Sequence, residues 1–198
     1  MKKDESKNDK ENRLLNTGYK LFIKKGIKDT SIQDIVDDAN VAKGTFYLYF
    51  KDKYELRDIL IAKKSMALFN DAIKELRKNY IKNFPDQIIF VINYIIDELS
   101  KKPLLLKFIS KNLSWGVYSQ TVIKLYEKNK NSEDSMISLF INGVKENNLN
   151  LKNPNVTLYM IVELVSSTCF NSILYNEPLP INDFKPFLYD TIRGLLKQ

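Results

Sequence analysis

The 198-residue chain has no histidine and a single cysteine, Cys169. The first absence removes the commonest general base and the commonest metal ligand together. The second excludes an intrachain disulfide or a thiolate zinc site and suits a reducing cytosol. Glycine and proline number only six each, and apolar alternation at period two is hard to find. The expectation is therefore an all-α protein. No apolar run approaches the ~18 residues of a membrane span. The charged start MKKDESKNDKENR lacks the apolar stretch that follows in a signal peptide. Without histidine a hydrolase here would need a lysine or carboxylate base, and no Gly-x-Ser-x-Gly, Walker loop or helically spaced pair of metal carboxylates occurs. We expect no enzyme, no cofactor, no metal, no membrane partner and a cytoplasmic location.

What is present is a basic, core-forming chain. Apolar residues make up 44%, enough for a real core, and the net charge is +7. Residues 1–65 carry fifteen Lys and Arg against eleven Asp and Glu, a net of +4. That balance suits a polyanion partner without deciding for one.

The N-terminal third breaks into short helical segments. Residues 1–11 read as a disordered polar tail. Leu14, Gly18, Leu21 and Phe22 then follow helical spacing, and Gly26 reads as the stop. In DTSIQDIVDDA, Thr30 and Gln33 match a capping box before the stripe Ile32, Ile35, Val36 and Ala39. Asn40–Val41 breaks that helix, because asparagine tolerates the left-handed conformation of a tight turn. AKGTFYLYF follows at once, and Asp52 with Glu55 forms a second capping-box pattern. In AKGTFYLYF, Phe46 and Phe50 share one face of a helix, Thr45 and Tyr49 another, and Gly44 and Leu48 a third. The phenylalanines can anchor the segment while Lys43, Thr45, Tyr47 and Tyr49 look elsewhere. Two short helices around a tight turn make a helix-turn-helix layout, which presents its later helix to the major groove.

TSIQDIVDDANVAKGTFYLYFKDKYEL, Thr30 to Leu56, resembles the DNA-binding signature of the TetR/AcrR family of transcriptional regulators, and the likeness covers residues 12–60. It departs at Asn40, where the family usually has glycine, and at Tyr54 before Glu55. The resemblance implies a DNA-binding head over 1–55 and a ligand-binding and dimerisation domain over 56–198. It implies a sequence-specific regulator, a repressor released from its operator by a small molecule, although some such proteins activate. Expected partners are double-stranded DNA with a near-palindromic operator and a second copy of the chain. Tyr47 is then expected at a phosphate, Lys43 and Thr45 at bases or phosphates, and Tyr49 at either. Lys51 and Lys53 flank the next helix start, Thr30 and Ser31 the start of the second helix, with the same option. Gly44 lets the backbone approach DNA closely. Capping alone also explains Thr30, and each lysine could be a solvated charge. An interaction protein whose helix-turn-helix no longer binds DNA is the rival, and the intact Lys43, Tyr47, Lys51 and Lys53 speak against it.

From Pro85 the helices lengthen. Expected spans are 54–80, 85–101, 103–128, 133–147, 155–176 and 183–197. Phe108, Asn112, Trp115 and Tyr118, with Tyr94, are candidates for a ligand cavity, which suits a small apolar or aromatic ligand. Lys107 and Lys111 keep an anionic one open, and a packed core explains the same aromatics. Ser166 to Cys169 are small residues that permit close helix approach. Ser166, Ser167, Cys169, Phe170, Leu188 and Ile192 are the expected dimer contacts, since the resemblance implies pairing through the last two helices.

Overall fold

The structure, a computed structural model, describes residues 2–109, 118 and 135–197. The described residues form helices and no strand. In chain order these are α1 Lys2–Lys25, α2 Ile32–Asp38, α3 Lys43–Tyr47, α4 Lys53–Lys78, α5 Phe84–Ser100, α6 Pro103–Ile109, α7 Met136–Glu146, α8 Pro154–Tyr175 and α9 Ile181–Leu195. The chain divides into two compact units, 1–61 and 62–198.

In the first unit, α1 touches both α2 and α3, and α2 touches α3. Leu14, Leu15, Phe22, Ile35, Val36, Ala39, Phe46, Phe50 and Leu56 are buried. The stop at Gly26 is a left-handed residue, φ 84°, whose amide donates to Phe22 O at 3.0 Å. Asn40 takes φ 51° between α2 and α3, so asparagine fills the turn position as the sequence suggested. The stretch expected as a disordered tail over 1–11 is helical from Lys2. Asp9 pairs with Arg13 one turn on at 3.2 Å.

The second unit is organised around α8, which touches α5, α6, α7 and α9. Leu158, Ile161, Val162, Val165 and Cys169 face a core that also takes Phe69, Ile88, Val91, Ile95, Phe140, Leu188 and Ile192. By length and a mean hydropathy of 1.4, α8 would be apolar enough to cross a membrane. The run of sequence conceals this, because Asn155, Glu163 and Asn171 interrupt it. Half of the explanation is the core contact just named. The other half is that Val156, Tyr159, Met160 and Tyr175 are apolar and exposed.

The second unit's α5 and α9 are joined by a polar ladder. Arg193 pairs with Asp86 at 3.2 Å, Tyr189 Oη donates to Asn93 Oδ1 at 2.6 Å, and Lys185 Nζ meets Asp97 at 2.5 Å. The rungs rise along α5 as they descend along α9, so the two helices are antiparallel and fixed in register. Burial, with Asp97 alongside, pushes the Tyr189 phenol well above its ordinary value, so the hydroxyl stays a donor.

Candidate nucleic-acid interface

The first unit turns the faces of α3 to different uses. Phe46 and Phe50 are buried, with rings 5.5 Å apart, and Phe46 meets Tyr47 edge-on at 5.6 Å. Lys43, Gly44, Tyr47, Leu48 and Lys51 are exposed, while Thr45 and Tyr49 are half-buried. Tyr47 is 53% exposed, so its ring is braced on Phe46 and its hydroxyl is accessible. A Cβ built on Gly44 meets nothing within 4 Å, so the glycine opens the outer surface of the helix. The expectation that two phenylalanines anchor a helix whose other residues look outward agrees with this geometry.

The capping of α2 differs from expectation by one residue. Ser31, not Thr30, is the N-cap: its Oγ accepts from the Asp34 amide at 3.0 Å, and Asp34 Oδ2 accepts from the Ser31 amide at 2.8 Å. Thr30 is fully buried, and its hydroxyl donates to Gly26 O at 2.6 Å. Its side chain therefore braces the loop from inside and is not part of the exposed surface. Gln33 instead donates to Asp37 at 2.8 Å. Ser31 is exposed.

Asp34 also accepts from Lys25 Nζ at 2.8 Å. That bond, then those from the Ser31 amide and hydroxyl, hold the carboxyl at about 2 against an ordinary 3.8. A lowered folded-state value means stabilisation that is present above about 3.8 and lost as pH falls toward 2. Asp34→Asn is expected to lower the melting temperature at pH 7, and the gap to wild type should close as pH drops through that window. Urea melts at stepped pH check this, and a gap that stays constant would refute the assignment.

Lys53 also differs from expectation. Its ammonium donates to Lys28 O at 2.9 Å and Thr30 O at 2.8 Å, tying the start of α4 to the loop before α2. The first amides of α4 are likewise engaged, since Asp52 Oδ1 accepts from the Tyr54 and Glu55 amides at 2.8 Å. The expected Asp52–Glu55 box is thus half formed, and Glu55 accepts from the Lys51 amide instead of closing on Asp52. An anion at this helix start would compete with Asp52, so Lys51 is the exposed lysine of the pair and Lys53 the internal one. Lys53→Ala is expected to lower both thermal stability and DNA affinity, whereas Lys51→Ala should lower affinity alone. Parallel melts and binding titrations separate them, and two identical profiles would remove the distinction. Beyond the expected set, the structure adds Tyr54, exposed with Lys53 and Arg57 over its ring at 5.6 and 5.4 Å, and Leu48. Leu48 carries no polar signal by which sequence could have marked it.

In the second unit, Asn112 and Trp115, like Lys111, lie outside the described residues. Tyr94 and Phe108 pack half-buried against the core. Tyr118 donates to Asn155 O at 3.1 Å and meets Tyr159 edge-on, and burial pushes its phenol up to about 12. None of the three lines either of two voids in this unit. One, of about 20 Å³, is bounded by aliphatic side chains of α5 and α8 with Phe69 and Met136. The other, of about 10 Å³, is bounded among others by Leu99, Leu106, Cys169 and Phe170. Ile95 and Val165 wall both. Each has space for about one water, and apolar voids of this kind stay dry.

Among the expected dimer contacts, Cys169, Leu188 and Ile192 are buried in the chain's own core. Their side chains therefore cannot face a second copy, and burial pushes the Cys169 thiol up to about 12. Ser166 is half-buried and donates to Glu163 O at 3.1 Å, and Phe170 is half-buried against the core. Ser167 is exposed. The exposed apolar residues of these helices are instead Val156, Tyr159, Met160 and Tyr175 of α8 and Phe187 of α9.

Residues 14–58 match the family model of bacterial regulatory proteins, tetR family. This N-terminal segment is of the tetR type. The tetR-type segment spans α1 from Leu14 to the first turns of α4, which is the part carrying the geometry above. Over 49 residues the chain is 45% identical to the uncharacterised HTH-type transcriptional regulator YerO of Bacillus subtilis, a match spanning 25% of this chain and 17% of that protein. It is 25% identical to YhgD of the same organism, over 96% of this chain and 93% of that one. FadR from Bacillus subtilis, solved with stearoyl-CoA, shares the fold at a TM-score of 0.59 and 15% identity, over 91% of this chain and 96% of that one. A TetR-family regulator from Syntrophomonas wolfei does so at 0.63 and 17%, over 96% and 95%. The fold of these solved regulators is thus shared by both units, each taken by itself.

Proposed function

We propose that this chain is a homodimeric repressor of the tetR type that binds a near-palindromic DNA operator through α3 and leaves it when a small apolar molecule enters the second unit. The observation that carries the reading is the division of α3, with Phe46 and Phe50 inside and Lys43, Gly44, Tyr47 and Lys51 outside. Lysine and the tyrosine hydroxyl suit phosphates, which fix register, while Lys43 and Thr45 would read base edges. Pairing is supported by α8. A helix apolar on both sides is ordinarily covered on both sides, and a second copy would cover Val156, Tyr159, Met160 and Tyr175 together with Phe187 of α9.

A ligand releases DNA only if it favours one spacing of the paired heads over another. The aliphatic walls of the two voids support an apolar chain or ring, the broad chemistry of the acyl group that the FadR neighbour holds. Neither void admits a small molecule as it stands, so entry requires α5 and α8 to part.

Selection of bound duplexes from random DNA tests the reading. Enrichment of two-fold symmetric sequences, with affinity falling steeply as salt rises, is the expected result. Absence of any enriched sequence would defeat it. Val165→Phe, which fills the wall common to both voids, is expected to blunt release in a screen of apolar compounds while sparing operator affinity. Unchanged release would place the ligand elsewhere.

A further inference from the structure

Every large apolar side chain exposed in the described part of the first unit falls within residues 47–54: Tyr47, Leu48 and Tyr54. Two of them have evident uses. Tyr47 offers a hydroxyl, and the ring of Tyr54 is covered by the cations of Lys53 and Arg57. Leu48 is 79% exposed and has no polar atom in its side chain. It is the C-cap of α3, still in helical conformation at φ −74°, ψ −21°, and so lies one turn beyond Gly44 on the same side of the helix. Nothing stands within 4 Å of a Cβ built on Gly44. The helix therefore has a smooth place at Gly44 and a projecting aliphatic group one turn on, on a face other than the one that carries Phe46.

A lone exposed leucine is ordinary on a protein surface. This one is set apart by its place within the DNA-facing helix. On a duplex, phosphates and most base-edge atoms are polar and offer a leucine nothing. The major groove has one apolar group, the C5-methyl of thymine, and an aliphatic side chain gains by covering it. We propose that Leu48 is a specificity-determining residue that reads a thymine methyl in each half-site. The inference rests on the DNA-binding reading above and adds the base it selects. Lys43 and Thr45 would discriminate by hydrogen bonds, whereas Leu48 discriminates by the presence of one methyl group.

Replacing thymine by deoxyuridine removes that methyl and leaves Watson–Crick pairing intact. The experiment takes the enriched operator and substitutes each thymine in turn, symmetrically in both half-sites. The full-length wild type and Leu48→Ala are titrated against each duplex. Burial of one methyl corresponds to about a fourfold change in affinity, so wild type should lose roughly fourfold per half-site at one thymine position. Leu48→Ala should bind the parent operator more weakly by a similar factor and show no further loss on the substituted one. As a control, Tyr47→Phe should weaken binding to all duplexes alike and keep the sensitivity to deoxyuridine. The assignment is overturned if Leu48→Ala remains as sensitive to every substitution as wild type, or if no position matters to wild type. Failure to enrich any DNA at all is a separate outcome, which overturns the DNA-binding reading and this inference together.

Discussion

Phe187→Asp is expected to give a folded monomer with at least a hundredfold weaker hold on the operator. The side chain is 64% exposed on α9, so the single chain loses little when it is replaced. In a two-fold pair the same patch meets itself, and each substitution acts twice. Leaving an unpaired carboxylate buried there costs about 3 kcal/mol or more, and each 1.4 kcal/mol is tenfold in affinity. Circular dichroism should match wild type, while sedimentation at micromolar concentration should show one chain. Leu188→Asp is the contrast: that side chain is 2% exposed, and its replacement should unfold the second unit. A Phe187→Asp protein that stays dimeric and fully active would move the pairing surface away from α9.

Gly143→Ala should lower the melting temperature of the second unit by about 4–8 °C. A Cβ built on Gly143 falls 1.9 Å from Phe84 Cε2, and Phe84 is a buried ring already packed against Phe140 at 5.7 Å. Overpacking of this kind costs about 2 kcal/mol, and a domain of this size loses about 2–4 °C per kcal/mol. Phe84→Leu in the same chain should recover part of the loss, although alone it is destabilising. A double-mutant cycle measures that coupling, and strictly additive losses would mean that the glycine is not there for the ring.

The helices were largely legible because their signals are local. Expected spans such as 85–101 and 155–176 lie within a residue or so of α5 and α8. The division of AKGTFYLYF between anchor and surface followed from helical spacing alone. The cap of α2 was harder, because Thr30 and Ser31 are adjacent and both fit the pattern. Only the contact between Thr30 and Gly26 O shows which hydroxyl is already engaged. Lys53 misled for a similar reason, since a lysine satisfied by two carbonyls reads in sequence like a free one. Three of the expected pairing residues lie in the core: small side chains at Ser166 to Cys169 suggest close packing without saying whose. The structure places Cys169, Leu188 and Ile192 inside one chain and leaves larger apolar groups outside.

The ladder between α5 and α9 separates two demands that one helix would otherwise have to satisfy together. Asp86–Arg193, Asn93–Tyr189 and Asp97–Lys185 hold the rotation and height of α9 from its inner edge. Its outer positions, among them Asp183, Phe187 and Thr191, are exposed and make no contact with α5 in that ladder. On the pairing proposed here, those outer positions can diverge between gene copies while the core stays the same. Two descendants of one such regulator in a single cell can then be insulated from forming mixed dimers by a few surface exchanges, and each can acquire its own operator without passing through an unfolded intermediate in its history.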